Sequence, residues 1–197
     1  MSQPKFAKDF DTARTEAFGN RMEELFNQMG LVLMLDIGHK TGLLDVLGGL
    51  PPATSGEIAQ AAGLDERYLR EWLGCLACAE VVEYVPETAM FALPAEHAVW
   101  LTRNRPGFAP GSGFPGADLL AETFVTLSEV QPLVTDCFRD GGGVPYSAYG
   151  RFHELMVRDR NAFFDRILRP SVLPLFPGWG KAMAGGAAVA DFGCGSG

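Results

Sequence analysis

Four cysteines, three histidines and sixteen lysines plus arginines are what this 197-residue chain has little of, and each shortage narrows what it can do. Cys75, Cys78, Cys137 and Cys194 contain one close pair, which is not the framework of a small disulfide-stapled domain, so reduced thiols are expected. Cys75-Leu76-Ala77-Cys78 spells C-x-x-C, but redox thiols of that type sit at a helix start, where the dipole favours the thiolate. Here the pair lies well inside a predicted helix and is read as small core-facing residues. A zinc site needs two further ligands at suitable spacing, and His39, His97 and His153 stand alone, so no metal is expected. Twenty-four acidic side chains outnumber the basic ones for a net charge of -8. That field repels phosphate backbones and weighs against nucleic acid as the principal ligand.

Long apolar runs are also missing. The run Leu31 to Leu35 ends at Asp36, far short of the roughly 20 residues that cross a bilayer, so no membrane partner is expected. Met1-Ser2-Gln3-Pro4-Lys5-Phe6 leads into polar, helix-like sequence without the apolar stretch of a secretory signal, and a cytoplasmic location is the default expectation. With 47% hydrophobic and 20% charged residues, the chain reads as globular, of one or two domains.

Phe6, Phe10, Ala13, Ala17, Met22, Leu25, Phe26 and Met29 recur at three- and four-residue steps, which predicts an amphipathic opening helix. Gly30 is expected to break or bend it. A largely buried helix then runs from Leu31 to Val46 and stops at Gly48-Gly49-Leu50-Pro51-Pro52. Thr54 with Glu57 fits a capping box, and Gly63 is placed to end that helix. A second helix follows Asp65, with Tyr68, Leu69, Trp72, Leu73, Leu76 and Ala79 on one side. Val81 to Val85 and Met90 to Leu93 read as strands joined by Pro86-Glu87-Thr88-Ala89. Helix, helix, hairpin is a winged helix-turn-helix.

Such a module reads DNA when its second helix and wing are basic. Here the helix carries Glu66, Arg67, Arg70, Glu71 and Glu80, and the wing offers Glu83 and Glu87 without a basic residue. Association with a partner subunit or an enzyme domain is therefore favoured. A Gly/Pro/Ser-crowded stretch from Pro106 to Pro115 reads as a connecting loop. The expected domains are 1–105, helical front plus winged helix; 106–117, linker; 118–184, helical cover; and 185–197, a strand and glycine loop. In the cover, Asp118 caps one helix, Pro132 starts a further turn ended by Gly141-Gly142-Gly143, and another helical region spans Phe152 to Leu168. The fold class is mainly α with a small β wing, followed by the first strand of an incomplete Rossmann-like α/β domain.

At the end of the sequence, Ala187 to Ala190 reads as a short buried strand running into Asp191-Phe192-Gly193-Cys194-Gly195-Ser196-Gly197. Alternating glycines let backbone amides approach a ligand closely. The dinucleotide pattern G-x-G-x-x-G places its third glycine differently and is less favoured, though open. Asp191-Phe192-Gly193 matches the kinase D-F-G triplet, yet no H-R-D loop stands upstream. The acidic residue followed by G-x-G-x-G resembles the cofactor motif of class I S-adenosylmethionine-dependent methyltransferases. With Gly141-Gly142-Gly143-Val144-Pro145-Tyr146 and the winged-helix-like front, the chain resembles bacterial members of that family over nearly its whole length.

The resemblance implies S-adenosylmethionine as cofactor and methyl transfer to a small-molecule acceptor. Gly193 and Gly195 would pass near the methionine part, Asp191 would orient the loop, and Gly197 would open into a helix. Tyr146 is a candidate lid residue; ordinary aromatic packing of Tyr146 and Tyr149 is at least as good an account. In-line methyl transfer draws on alignment and water exclusion, with a base only for some acceptors, so no catalytic residue is assigned; a lone His153 is a conceivable base and more often a structural residue. The acidic residue about 20 positions after the loop, which holds ribose hydroxyls in such folds, is absent. The chain is thus expected to be an N-terminal fragment, inactive alone and homodimeric through its front helices and winged helix. The alternatives are a winged-helix DNA-binding regulator or a self-association module.

Overall fold

A computed structural model describes residues 11–103, 117–188, 190 and 192. Helix α1 runs Thr12–Thr41, and the side chain of its N-cap Asp11 accepts from the Arg14 amide. The expected break at Gly30 does not occur. A glycine inside a helix costs only about 1 kcal/mol relative to alanine, and the aliphatic residues Leu31, Met34 and Leu35, packed on the core, hold the helix through it. The interruption falls twelve residues later, at Gly42, whose φ of 75° is left-handed and whose amide donates to the His39 carbonyl. The segment expected as one helix from Leu31 to Val46 is therefore the end of α1 and the start of α2, Leu43–Gly49.

Strand β1 is the pair Ala53–Thr54, which no sequence pattern announces. Helix α3, Ser55–Ala62, opens on the expected capping box: Thr54 Oγ1 accepts from the Glu57 amide while the Glu57 carboxylate accepts from the Thr54 amide. Gly63 ends it at φ 67°. Helix α4, Glu66–Cys78, is capped by Asp65, which accepts from the Arg67 and Tyr68 amides. Glu80, expected on α4, lies beyond its end with φ 57°. The Val81 amide donates back to the Leu76 carbonyl at 2.9 Å, so the wing's first strand starts later than expected. Strands β2, Glu83–Val85, and β3, Met90–Ala92, are antiparallel with Tyr84 opposite Phe91, and those rings stand 4.6 Å apart. β1 adds to the far side of β3, giving the order β1-β3-β2.

The core lies within this unit: Leu43, Leu44 and Leu47 of α2, Ile58 and Ala59 of α3, Leu69, Trp72, Leu73 and Leu76 of α4, and Phe91 of β3. Contrary to expectation, Cys75 and Cys78 are exposed, because α4 turns Leu69, Trp72, Leu73 and Leu76 inward and these cysteines occupy the other face. Helix α5, Ala95–Leu101, was not foreseen; its first carbonyls and amides are ordered behind Pro94, whose carbonyl accepts from His97 and Ala98.

Helix α6, Ala117–Glu129, starts before Asp118, which therefore lies within it rather than capping it as expected, and α7, Gln131–Asp140, follows the expected pattern, with Pro132 at its start and Gly141 at φ 74° after it. A 3-10 turn, Tyr146–Tyr149, leads to α8, Phe152–Phe163. A wider π-type segment holds Pro170 within Phe164–Val172, and after a short 3-10 turn α9 covers Trp179–Ala184. α1 packs against α6 as well as against α2 and α4, and α6 packs against α8. The strand expected at Ala187–Ala190 is not formed where it is described: Ala187, Ala188 and Ala190 are exposed and lie in no strand. Strands persist by pairing, and the three described strands pair only with one another. No helix among the described residues is long and apolar enough to cross a membrane.

The capping box carries a direct stability prediction. Hydrogen bonds from the Thr54 amide and then the Thr54 hydroxyl hold the Glu57 carboxyl below its usual range. A depressed carboxylate contributes stability that is present above its unfolded pKa and lost as pH falls through the folded one. Thr54→Ala removes the N-cap acceptor, a loss of about 1 kcal/mol for such caps, and because the Thr54 hydroxyl also donates to the Glu57 carboxylate, a denaturation series should show part of the difference shrinking under acid.

Candidate functional site

Two arrangements draw polar chemistry together. The first is the turn between α7 and α8. Gly141 and Gly142, at φ 74° and 84°, swing the chain into Pro145, whose extended backbone caps the Tyr146–Tyr149 turn. Tyr146 stacks on His153 with centroids 4.9 Å apart and ring planes at 26°, and the His153 Nε2 donates to the Tyr146 carbonyl at 3.4 Å. Tyr149 meets Phe152 at 6.0 Å. The structure thus brings the two residues weighed as lid and base, Tyr146 and His153, into one contact. Tyr146 remains 77% exposed, so its outer face is available to a ligand, whereas the face toward His153 is occupied.

The second is an ion-pair cluster beneath that turn. Glu122, on the buried side of α6, takes Arg151 on one carboxylate oxygen and Arg158 on the other, the latter at 2.7 Å. Leu119, Ala121 and Thr126 are buried on α6 and Leu155 on α8, so the Glu122 carboxylate sits in a largely apolar seam while the two guanidinium side chains remain about half exposed. The cluster fixes α8, and hence His153, relative to α6. None of these three residues was singled out from the sequence. The available signal was a lone carboxylate within the apolar stretch Leu119 to Val125, together with two arginines seven apart, Arg151 just before α8 and Arg158 on it.

Asp191, Gly193, Gly195 and Gly197 lie outside the described residues. Of the residues suggested for a cofactor, Tyr146 alone is among the described residues, and an exposed ring on a short turn is compatible with covering a bound ligand but does not by itself hold one. Among the described residues, no group of three or more His, Cys, Asp and Glu side chains is placed to hold a metal.

The winged helix presents no basic face. Arg70 pairs with Glu66 at 3.2 Å, and Ser55 Oγ donates to the same carboxylate at 2.7 Å. Arg103, beyond the wing, is bound to Asp45 through both its amide and its guanidinium and also donates to the His39 carbonyl. These contacts bind the end of the winged helix to α1 and α2. A groove of about 600 Å³ runs beside them, lined by Asp45, Gly48, Ala98, Val99, Thr102 and Arg103.

Residues 29–103 match the family described as the Rv2258c-like winged HTH domain. No curated protein matches the chain. Among solved structures, human N-acetylserotonin methyltransferase in complex with SAM is similar at a TM-score of 0.57 and 15% identity, covering 88% of this chain and 51% of that one. The mitomycin 7-O-methyltransferase MmcR is similar at 0.52 and 19%, covering 78% of this chain and 44% of that one. The chain thus spans about half the length of these proteins. Over residues 29–103 it is similar to the Rv2258c-like winged HTH domain, and it shares the fold of the corresponding part of these solved structures.

Proposed function

We propose that this chain is the N-terminal portion of an S-adenosylmethionine-dependent methyltransferase that acts on a small-molecule acceptor. The observation that carries the reading is the fold likeness over 88% of the chain to a methyltransferase solved with SAM. In this reading Asp191, Gly193, Gly195 and Gly197 begin the cofactor loop, Tyr146 lies over the pocket, and α6 to α9 form its helical cover. The reading expects the 197-residue chain to be inactive alone, since it spans about half the length of the methyltransferases it resembles. The test is calorimetric titration with S-adenosylmethionine of the 197-residue chain and of the full gene product, followed by transfer of labelled methyl to a panel of hydroxylated aromatic acceptors. Binding and transfer by the full product alone are expected. Micromolar binding by the 197-residue chain would overturn the incomplete site, and a full product that neither binds nor transfers would overturn the methyltransferase reading.

Self-association belongs to the same reading. Phe18, Leu25, Phe26, Met29, Leu33 and Ile37 form an exposed apolar stripe along α1, wider than a solvated helix face requires. We place a homodimer contact on this stripe. Burying a Phe and a Met is worth about 1.5–3 kcal/mol each, so the double substitution F26E/M29E should weaken the dimer by about 10²-fold or more. Sedimentation equilibrium reads this directly, and an unmodified chain that sediments as a stable monomer rejects it.

A further inference from the structure

The C-x-x-C of α4 acquires a different meaning once its surroundings are known. Both thiols are exposed and free, whereas Cys137 is half-buried. Leu69, Trp72, Leu73 and Leu76 fill the inward face of α4, so neither cysteine is needed for packing. Positions three apart on a helix share a face, with Cα atoms about 5 Å from each other, inside the range two sulfurs can bridge. Cys78 is the last residue of α4, and the helix start, capped by Asp65, is at the opposite end. Catalysed disulfide exchange uses a pair at a helix N-terminus, and this pair, at the end where the dipole gives thiolate no help, is not placed for that chemistry. Thiolate ligands select soft ions, and no third protein ligand is required by a centre that two sulfurs satisfy.

We propose that Cys75 and Cys78 form a surface dithiol site that takes a thiophilic metal or metalloid through both sulfurs. Phenylarsine oxide is the probe. It condenses with two thiols so that two As–S bonds form, two S–H bonds break and the oxide oxygen leaves as water, with no change in oxidation state.

Native mass spectrometry of the reduced chain should show one arsenical adduct without denaturant, and peptide mapping should place it on the segment holding Cys75 and Cys78. Because the second sulfur binds intramolecularly, C75S and C78S should each weaken the adduct by about 10²- to 10⁴-fold. Both side chains are exposed, so circular dichroism should show each variant folded. An adduct equally tight in either single variant, an adduct mapped to Cys137 or Cys194, or one that appears only in denaturant would overturn the proposal.

Discussion

Trp72→Ala should destabilise the chain by about 3–5 kcal/mol, a loss large enough to unfold a domain of ordinary stability. Trp72 is 5% exposed and belongs to the core between α2, α3 and α4. It also joins α4 to α1. Its Nε1 donates to the Met34 carbonyl at 2.8 Å, and its ring lies so close to α1 that a Cβ on Gly38 would come within 2.6 Å of it. Alanine removes the ring, opens a cavity against a glycine that cannot fill it, and withdraws the hydrogen bond. Trp72→Phe separates these effects: much of the apolar burial stays, and the lost hydrogen bond is worth about 1 kcal/mol. Urea denaturation of the three proteins should rank them native, Phe, Ala. A Trp72→Ala protein within 1 kcal/mol of the native one would show that the winged helix is not held to α1 through this residue.

The Glu122 cluster yields a second large effect, and an unequal one. The Glu122 side chain is 10% exposed, whereas those of Arg151 and Arg158 are 56% and 49% exposed. Glu122→Ala leaves two guanidiniums that can turn toward water, so its cost is limited to the lost charge-assisted hydrogen bonds, about 2 kcal/mol. The double variant R151A/R158A instead leaves the carboxylate in an apolar seam without either cation, and about 3 kcal/mol or more is expected. The double loss should therefore exceed the single one even though the same two contacts disappear in both. Denaturation measures the difference, and limited proteolysis should show cleavage near α8 rising in the same order. The reverse order would mean that Glu122 is solvated and that the seam is held by Leu155 and its neighbours alone.

Where sequence reading succeeded, short-range chemistry decided the structure. The Thr54–Glu57 box, the Asp65 cap, the left-handed Gly63 and the turn at Gly141 are each settled by residues within about four positions. It failed where tertiary packing chose between local options. Gly30 and Gly42 look equally able to end a helix, but the aliphatic face around Gly30 packs on the core whereas the chain must turn at Gly42 to bury Leu43, Leu44 and Leu47. A two-residue strand such as Ala53–Thr54 carries no periodicity, and exists because β3 offers it an edge. The inward reading of Cys75 and Cys78 fails because the helical phase of Leu69, Trp72, Leu73 and Leu76 places them outward. For the site, the aromatic turn at Tyr146 was legible from the glycines before it. The Glu122 cluster joins α6 to α8 across about thirty residues, a pairing that one sequence cannot reveal.

Helix α1 carries a mechanical consequence. Thirty residues of helix extend about 45 Å, and this one rod packs on α2 and α4 of the winged helix and on α6 of the helical cover. The Trp72 bond clamps it near one end, and Gly42 supplies the sharp turn just beyond. A stiff member fastened to two bodies works as a lever. Tilting the winged helix would swing α6 in proportion, and with it the Glu122 anchor of α8 and the tyrosine turn that α8 carries.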